Sequence, residues 1–346
     1  LDLGIFDERG AGFEGPGFRG WSGGARRSFE IGETEATPGY LAGRINRGRW
    51  TVIQMPTTAG RTTDWTLKIT LTEGPRAKKL PAPSYAAPQL NDKPGWYRIA
   101  PHVHTVHSDG RLTPAEVIAL GKASGLDGIV STDHNTTSAL LHWGEVQDPE
   151  FLVINGMEVT YGQGHWNIFG LDPHAWIDFR IHHNDTLRYR KAVAKARKAG
   201  RLLVANHPYN LDFLYDVTPM DGIEVWNSAW SPANERAVEL WHTLLVGGNR
   251  KFAVASTDFH RGGNIASPHT VVRAEALSAE AVIDAIAAGR SYMARDTSVE
   301  IGMQVRNSAT PVQHADIGDT LLRSGKMQAE FRSNTAGRCL LYTSPS

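Results

Sequence analysis

An α/β fold with a parallel, barrel-like sheet is predicted by three features of the sequence. From about residue 96 onward, short apolar runs of strand length alternate with segments of helical periodicity. Histidine and carboxylate residues close one predicted strand after another, at the strand ends where chemistry gathers in barrels of this kind. The 346-residue length, above the usual ~100–200 residues of one domain, leaves room for flanking units as well.

Taken in order, residues 1–74 are glycine-rich and then strand-like, and are assigned to a small N-terminal β domain. WTLKITLT alternates with period two, so Trp65, Leu67, Ile69 and Leu71 are expected on one sheet face, with GRWTVIQM as a partner strand. Residues 75–95 are proline-rich and without apolar period, the composition of an extended linker. RIAPHVHT then reads as a strand and TPAEVIALGKASG as a helix, with Thr113 as N-cap, Pro114 at its first position and Glu116 closing a capping box. DGIVSTDH, FLVINGMEVT, GHWNIFGL, RLLVANHP, DGIEVWNS and KFAVASTDFH read as further strands, with helices at about 184–199, 232–246 and 278–288. The barrel unit is placed at 96–296 and a short C-terminal β appendage (VEIGMQV, KMQAEF) at 297–338. The last eight residues, CLLYTSPS (339–346), resemble translated sequencing adapter and are taken as a non-native tail.

Thirty-six basic residues balance thirty-six acidic ones, which removes the electrostatic footprint of a nucleic-acid-binding surface. No apolar run reaches the roughly 18–20 residues that span a bilayer, so no membrane partner is expected. The chain opens on Leu1, as a mature form or fragment would, and cytoplasmic, periplasmic and secreted settings all fit. One cysteine, Cys339, against fourteen histidines means that any metal is held by nitrogen and oxygen.

Successive strand residues point to opposite faces, so His102 and His104 in H-V-H project together, as do Asp258 and His260 in D-F-H. His134, Glu158, His165 and His207 each close a predicted strand between these pairs. With Asp109, nine ligand candidates converge: six imidazoles and three carboxylates. Burying them together without metal would leave charges unpaired at several kcal/mol each. Asp133, next to His134, points the other way on a regular strand and is expected to support the ligands or to cap. Singly, His142, His174, His182, His183, His242, His269 and His314 read as core or surface imidazoles. Trp65 and Trp241 read as core, while Trp166, Trp226 and Trp230 follow strand ends and suit a pocket wall. GWSGG (20–24) satisfies the serine-nucleophile pattern G-x-S-x-G, but loop precedes it and β-like sequence follows, so Ser22 is set aside.

The series H-x-H-x-x-x-S-D-G, T-D-H, G-x-E, G-H-x-N-x-x-G, N-H-P and D-x-H over residues 96–296 resembles the PHP (polymerase and histidinol phosphatase) superfamily of metal-dependent hydrolases. The upstream blocks FRGWSGGARRSFEIG and ATPGYLAGRINRGRW, with the appended β segment, resemble its carbaryl hydrolase-like (CehA/McbA) branch. The resemblance implies a distorted (β/α)7 barrel with two to three divalent transition metal ions, zinc, manganese or iron. It implies one ion on His102, His104, Glu158 and Asp258, a second on Glu158, His165 and His207, and a third on Asp109, His134 and His260. A carboxylate has two oxygens and can bridge ions about 3.5–4 Å apart, which makes Glu158 the natural bridge. His107 departs from the small or polar residue common there, and is expected to be a solvent-facing turn residue.

The residues point to a metal-dependent hydrolase acting through a metal-bridged hydroxide, with Glu158, His207 and His165 catalytic, and the superfamily resemblance implies phosphate esters of a small molecule as substrate. Asp133, Asn167 and Asn206 would orient ligands, Arg111, Arg261 and Arg295 would meet a phosphate, and Trp226 would wall the pocket. The branch resemblance favours a carbamate or carboxyl ester instead. A non-enzymatic alternative is a vestigial metal-binding module whose β domain binds ligand.

Overall fold

The structure, a computed structural model, describes residues 2–55, 64–210, 216–308, 311–322 and 325–336; the 339–346 tail and Cys339 lie outside the described residues. The N-terminal strands are β1 (Asp2–Phe6), β2 (Phe18–Gly23) and β3 (Thr51–Met55), followed by a short β4 (Gln89–Asn91). The central region runs β5 (Gly95–Val103), α1 (Pro114–Ala123), β6 (Gly128–Ser131), β7 (Leu152–Tyr161), β8 (Gly164–Phe169), α2 (Thr186–Ala199), β9 (Leu202–Ala205), β10 (Gly222–Asn227), α3 (Pro232–Val246) and β11 (Phe252–Ser256). It closes with β12 (His269–Ala274), β13 (Leu277–Ser278), α4 (Ala279–Ala287) and β14 (Ser291–Ala294). A last small sheet holds β15 (Ile301–Asn307), β16 (His314–Asp316) and β17 (Met327–Ser333).

Nine strands form the main sheet in the order β11-β10-β9-β8-β7-β6-β5-β12-β14. It curls until the segment after β11 meets β5: Phe259 bridges Val103, His104 N donates to Phe259 O at 2.9 Å, and Phe259 N donates to His102 O at 3.3 Å. The result is a nearly closed, barrel-like mixed sheet. Parallel pairing holds for β5/β6, β6/β7, β9/β10 and β10/β11. Strand β8 instead folds back on β7 through a two-residue turn and runs antiparallel to both neighbours, and β12 is antiparallel to β5 and β14. A regular alternation of parallel strand and helix is therefore not what the chain adopts; the YGQG turn is too short to hold a crossover helix.

The helices form where the sequence places them. Thr113 Oγ1 accepts from Glu116 N and the Glu116 side chain returns to Thr113 N, which completes the capping box. Asp185 and Ser278 cap α2 and α4 by accepting from Arg188 N and Ala281 N. Beneath the site, Ile99, Val130, Leu152, Ile154, Val204, Val254 and Val272 pack with Val282, Ile283 and Ile286 of α4. A second, larger cluster fills the outer side, with Ala100, Val103, Ile129, Val153, Met157, Val159 and Trp166 among its members.

Strand β3 forms as GRWTVIQM predicts, but its partner is β1, on which β2 also pairs, so the sheet order is β2-β1-β3. WTLKITLT forms no strand: Trp65 is 57 % exposed and Leu71 86 %. Period two marks a buried face only where a sheet edge accepts the segment, and among the described residues none does. Ser22 sits inside β2, bonded to the Tyr40 hydroxyl at 2.9 Å, with no helix following. Phe6, Phe18 and Trp21 join the outer core of the barrel. Phe18 stacks on Trp176 at 3.9 Å, Phe6 meets both rings edge-on at 5.7 Å, and the Arg180 guanidinium covers Phe6 at 4.2 Å.

Phe18→Ala removes a buried ring from a stack shared by both units, and is expected to lower unfolding stability by about 3–5 kcal/mol. Chemical denaturation followed by tryptophan fluorescence checks this; a loss under about 1 kcal/mol would mean that the interface collapses around the gap.

Candidate metal centre

The site is built from strand ends. In β5 the register shifts between Ala100 and Val103, so both face the outer core although they lie three residues apart. That bulge turns His102 and His104 inward, above Ile99. The bridge at Phe259 then sets Asp258 and His260 beside them. On β7, Glu158 shares its face with Ile154, and an isolated parallel bridge links it to His134. Two ligand candidates stand on left-handed backbone, His207 at φ 24° and Asp258 at φ 53°. For non-glycine residues this costs of order 1–3 kcal/mol and persists where the surroundings enforce it.

Four atoms meet at the centre. His102 Nε2 lies 3.3 Å from Glu158 Oε2 and 3.2 Å from Asp258 Oδ1, and His104 Nε2 lies 3.4 and 3.0 Å from the same two oxygens. All four atoms are buried and lack a hydrogen-bond partner among the described residues. An ion about 2.0–2.1 Å from four tetrahedral ligands spaces them about 3.3 Å apart, so these atoms fit a shared cation. Glu158 Oε1 faces the other way, 3.2 Å from His165 Nδ1 and 3.6 Å from His207 Nε2. Further out, Asp109 Oδ1 is 3.1 Å from His260 Nε2 and 3.7 Å from His134 Nε2, and these three form one ligand-sized group with His104. His134 also touches the centre, with Nδ1 2.8 Å from Glu158 Oε2 and bonded to Thr160 Oγ1 at 2.5 Å. All nine candidates read from the sequence thus come together. His142, His174, His182, His183, His242, His269 and His314 belong to no such group among the described residues.

Electrostatics divides the two halves of H-V-H. Burial pushes both imidazoles down, but Asp258, Glu158 and Glu224 outweigh it at His102 and hold that ring well above its usual range. His104 faces His260 and His134 as well, and falls to about 3. At His134, Glu158 and Asp109 overcome burial and hold the ring at about 9. Burial raises the Glu158 and Asp258 carboxyls, yet the surrounding imidazoles hold both well below the usual carboxylate range.

A second tier fixes the ligands. Asn206 Nδ2 donates to Glu158 Oε1 at 2.7 Å. Asp133 accepts from Thr105 N, Thr105 Oγ1 and Ser108 Oγ at 2.7–2.8 Å, which ties down the turn between His104 and Asp109. Asn167 lies opposite Glu158 in the β7–β8 register, but its Oδ1 has no hydrogen-bond partner among the described residues. Glu224 was not among the residues singled out by sequence. Its Oε1 is 3.1 Å from His102 Nδ1, and its Oε2 accepts from His207 N and Asn227 Nδ2 at 3.1 Å, so one buried carboxylate holds two ligand positions. A lone carboxylate inside an apolar strand, DGIEVW, was its signal, the same one that marks Glu158 in GMEVT.

Three expectations are corrected. His107 is buried, with Nδ1 2.8 Å from Ser138 Oγ, because the N-terminal sheet covers the turn. Trp166 is wholly buried in the outer core and walls no pocket, since it alternates with the inward-facing His165 and Asn167. Trp65 is exposed, as described above. Trp241 packs partly against the core and donates to Lys251 O at 2.7 Å. Trp226 meets Trp230 edge-on at 5.2 Å, with Trp230 44 % exposed. Arg111, Arg261 and Arg295 are exposed; Arg111 N donates to His260 O, and the Arg295 side chain bonds Asp296.

No protein-family model matches the chain, and no curated protein matches it. Solved structures do. A two-domain protein from Bacteroides vulgatus containing a predicted PHP-like metal-dependent phosphoesterase is similar at 17% identity and TM-score 0.47, over 75% of this chain and 90% of that one. An amidohydrolase from Chromobacterium violaceum with bound sulfate and no metal is similar at 18% identity and TM-score 0.38, over 48% and 89%. The lesion-specific endonuclease EndoQ from Pyrococcus furiosus is similar at 12% identity and TM-score 0.39, over 57% and 58%. All three TM-scores fall below 0.5.

Glu224→Gln is expected to weaken metal binding by about 10–100-fold, measured by competition with a chromogenic chelator; unchanged affinity would remove Glu224 from the site. A second prediction concerns acid. Burial, then His142 and Arg26, push the His107 imidazole down to about 3, so it stays neutral in the fold and takes a proton on unfolding below about 6.5. Its stability penalty is absent above pH 6.5, grows as pH falls towards 3, and levels off below that. Metal-free His107→Asn should therefore lose less Tm than wild type between pH 7.5 and 4.5; parallel losses would show that His107 is not part of the acid response.

Proposed function

We propose that this chain is a metal-dependent hydrolase of the PHP type, cleaving phosphate esters of a small molecule with two or three divalent ions of zinc, manganese or iron. The observation that carries the reading is the set of four buried donor atoms, His102 Nε2, His104 Nε2, Glu158 Oε2 and Asp258 Oδ1, without hydrogen-bond partners among the described residues and with each nitrogen 3.0–3.4 Å from each oxygen. Such atoms cost several kcal/mol unless a cation meets them. When bound, ions here would supply Lewis acidity and a nucleophilic water at neutral pH.

The chain's own residues do the rest. Glu158 turns one oxygen to the H-V-H pair and the other to His165 and His207, so it can serve two ions at once. Glu224 and Asn206 keep His102 and Glu158 in one orientation, so little reorganisation accompanies charge development. His165 and His207 stand on the far side of Glu158; His207, whose ring, despite burial, the neighbouring carboxylates hold above its usual range, would return a proton to the leaving group where metal does not engage it, while burial holds His165 below. Arg111 and Arg261 are exposed beside the outer ligand group in the sequence, where a guanidinium would suit a phosphate's outer oxygens. A second reading, carbamate or carboxyl ester hydrolysis, is supported by the Trp226–Trp230 pair, which offers an aromatic face after β10.

Metal-reconstituted protein is expected to turn over p-nitrophenyl phosphate or bis-p-nitrophenyl phosphate, and Glu158→Gln to lose at least about 100-fold of that rate together with bound metal. Turnover of p-nitrophenyl acetate or 1-naphthyl methylcarbamate alone would replace the phosphate reading with the second one. Wild-type rates from the variant, or from chelator-treated protein, would sink both.

A further inference from the structure

The N-terminal sheet reaches the backs of two loops that carry ligands. Arg26 leaves the turn that ends β2, where Ala25 N donates to Ser22 O at 3.1 Å. Its guanidinium donates from Nη2 to Val106 O at 2.6 Å and from Nη1 to Ser108 O at 3.2 Å. Gly39 holds the loop after His134. Its N donates to Ser138 Oγ at 3.1 Å, and its carbonyl accepts from Thr136 Oγ1 at 2.9 Å. Ser138 Oγ in turn lies 2.8 Å from His107 Nδ1, so one hydroxyl joins the loop after His104 to the loop after His134. The approach is close: at Gly39, φ 99°, a Cβ would stand 2.6 Å from His107 O. Trp176, stacked on Phe18, donates to Asn135 O at 3.0 Å, directly after His134.

These contacts fall unevenly on the centre. His102, His104 and Glu158 are held by strand pairing from within the barrel. Asp109 lies on a turn outside any strand, with a side chain 46% exposed. The turn's internal bonds, Ser108 N to Thr105 O and Val106 N to Leu112 O, leave the Val106 and Ser108 carbonyls for Arg26. A planar guanidinium can grip two carbonyls spaced two residues apart; an ammonium on a flexible stem fixes them less well.

Resting on the metal-centre reading above, we propose that the N-terminal sheet is a working part of the centre, with Arg26 a positioning residue that fixes the Val106–Asp109 turn and so places Asp109 for the outer ligand group. Loss of Arg26 then weakens the outer ion selectively and spares the inner ones.

The test compares full-length wild type, Arg26→Met and Arg26→Lys, titrated with Mn2+ or Zn2+ by calorimetry, with ions per chain counted by elemental analysis and melting followed in metal-free protein. Arg26→Met is expected to bind the tightest ions as wild type does and the weakest one about tenfold less tightly. Arg26→Lys, which keeps the charge and the apolar stem and so guards against a folding defect, is expected to show a smaller loss confined to that same ion. Wild-type binding of every ion by both variants would overturn the proposal, as would an equal loss for all ions tracking a lower metal-free Tm. Wild type that takes up no transition metal would bring down the function reading with it, whereas uptake of every ion with wild-type affinity by all three proteins removes the role of Arg26 alone.

Discussion

Everything in the centre turns on the burial of Glu158 among imidazoles. A carboxylate this far from water is tolerated only where positive charge surrounds it, and its neighbours His102, His104, His134, His165 and His207 come from four separate loops or strand ends. The strands that deliver them must therefore curl far enough for β11 to reach β5, which the Val103–Phe259 bridge accomplishes. Closure of the sheet and assembly of the ligand set are one constraint.

That constraint explains the irregularities around it. The bulge before His102 reverses the facing of β5 without breaking its pairing to β6. Left-handed backbone at His207 and Asp258 aims two more side chains inward at a conformational cost that the surrounding bonds hold in place. Glu224 beneath and Asp133 behind use carboxylates as rigid struts, each accepting from more than one donor. On the outside, Phe18 on Trp176 and the Gly39 peptide press the N-terminal sheet against the loops.

Much of this could be read from the chain before any coordinates. Helix α1 was legible because its capping box and Pro114 are local signals, and α3 because its periodic stretch is bounded by Pro232 and Gly247. Eight of the nine ligand candidates were legible because each lies at or near an end of a strand-like run, and Asp109 because its turn follows H-V-H directly. Trp65 to Leu71 misled because alternation is a statement about a partner strand that the segment itself does not contain. Strands β1, β12 and β14 escaped notice, being set by pairings to distant neighbours.

By itself the sequence determined the chemical inventory: nitrogen and oxygen donors, their order, and the strand or helix on which each rides. Residue type and spacing along a strand decide which way a side chain points, and that much is local. Only the tertiary structure decided that His107 and Trp166 are covered, that Glu224 braces His102, and that Arg26 reaches across to a ligand turn. Those outcomes depend on what packs against a residue from elsewhere in the chain, about 80 positions away in the case of Arg26 and Val106, and burial is a property of that neighbour.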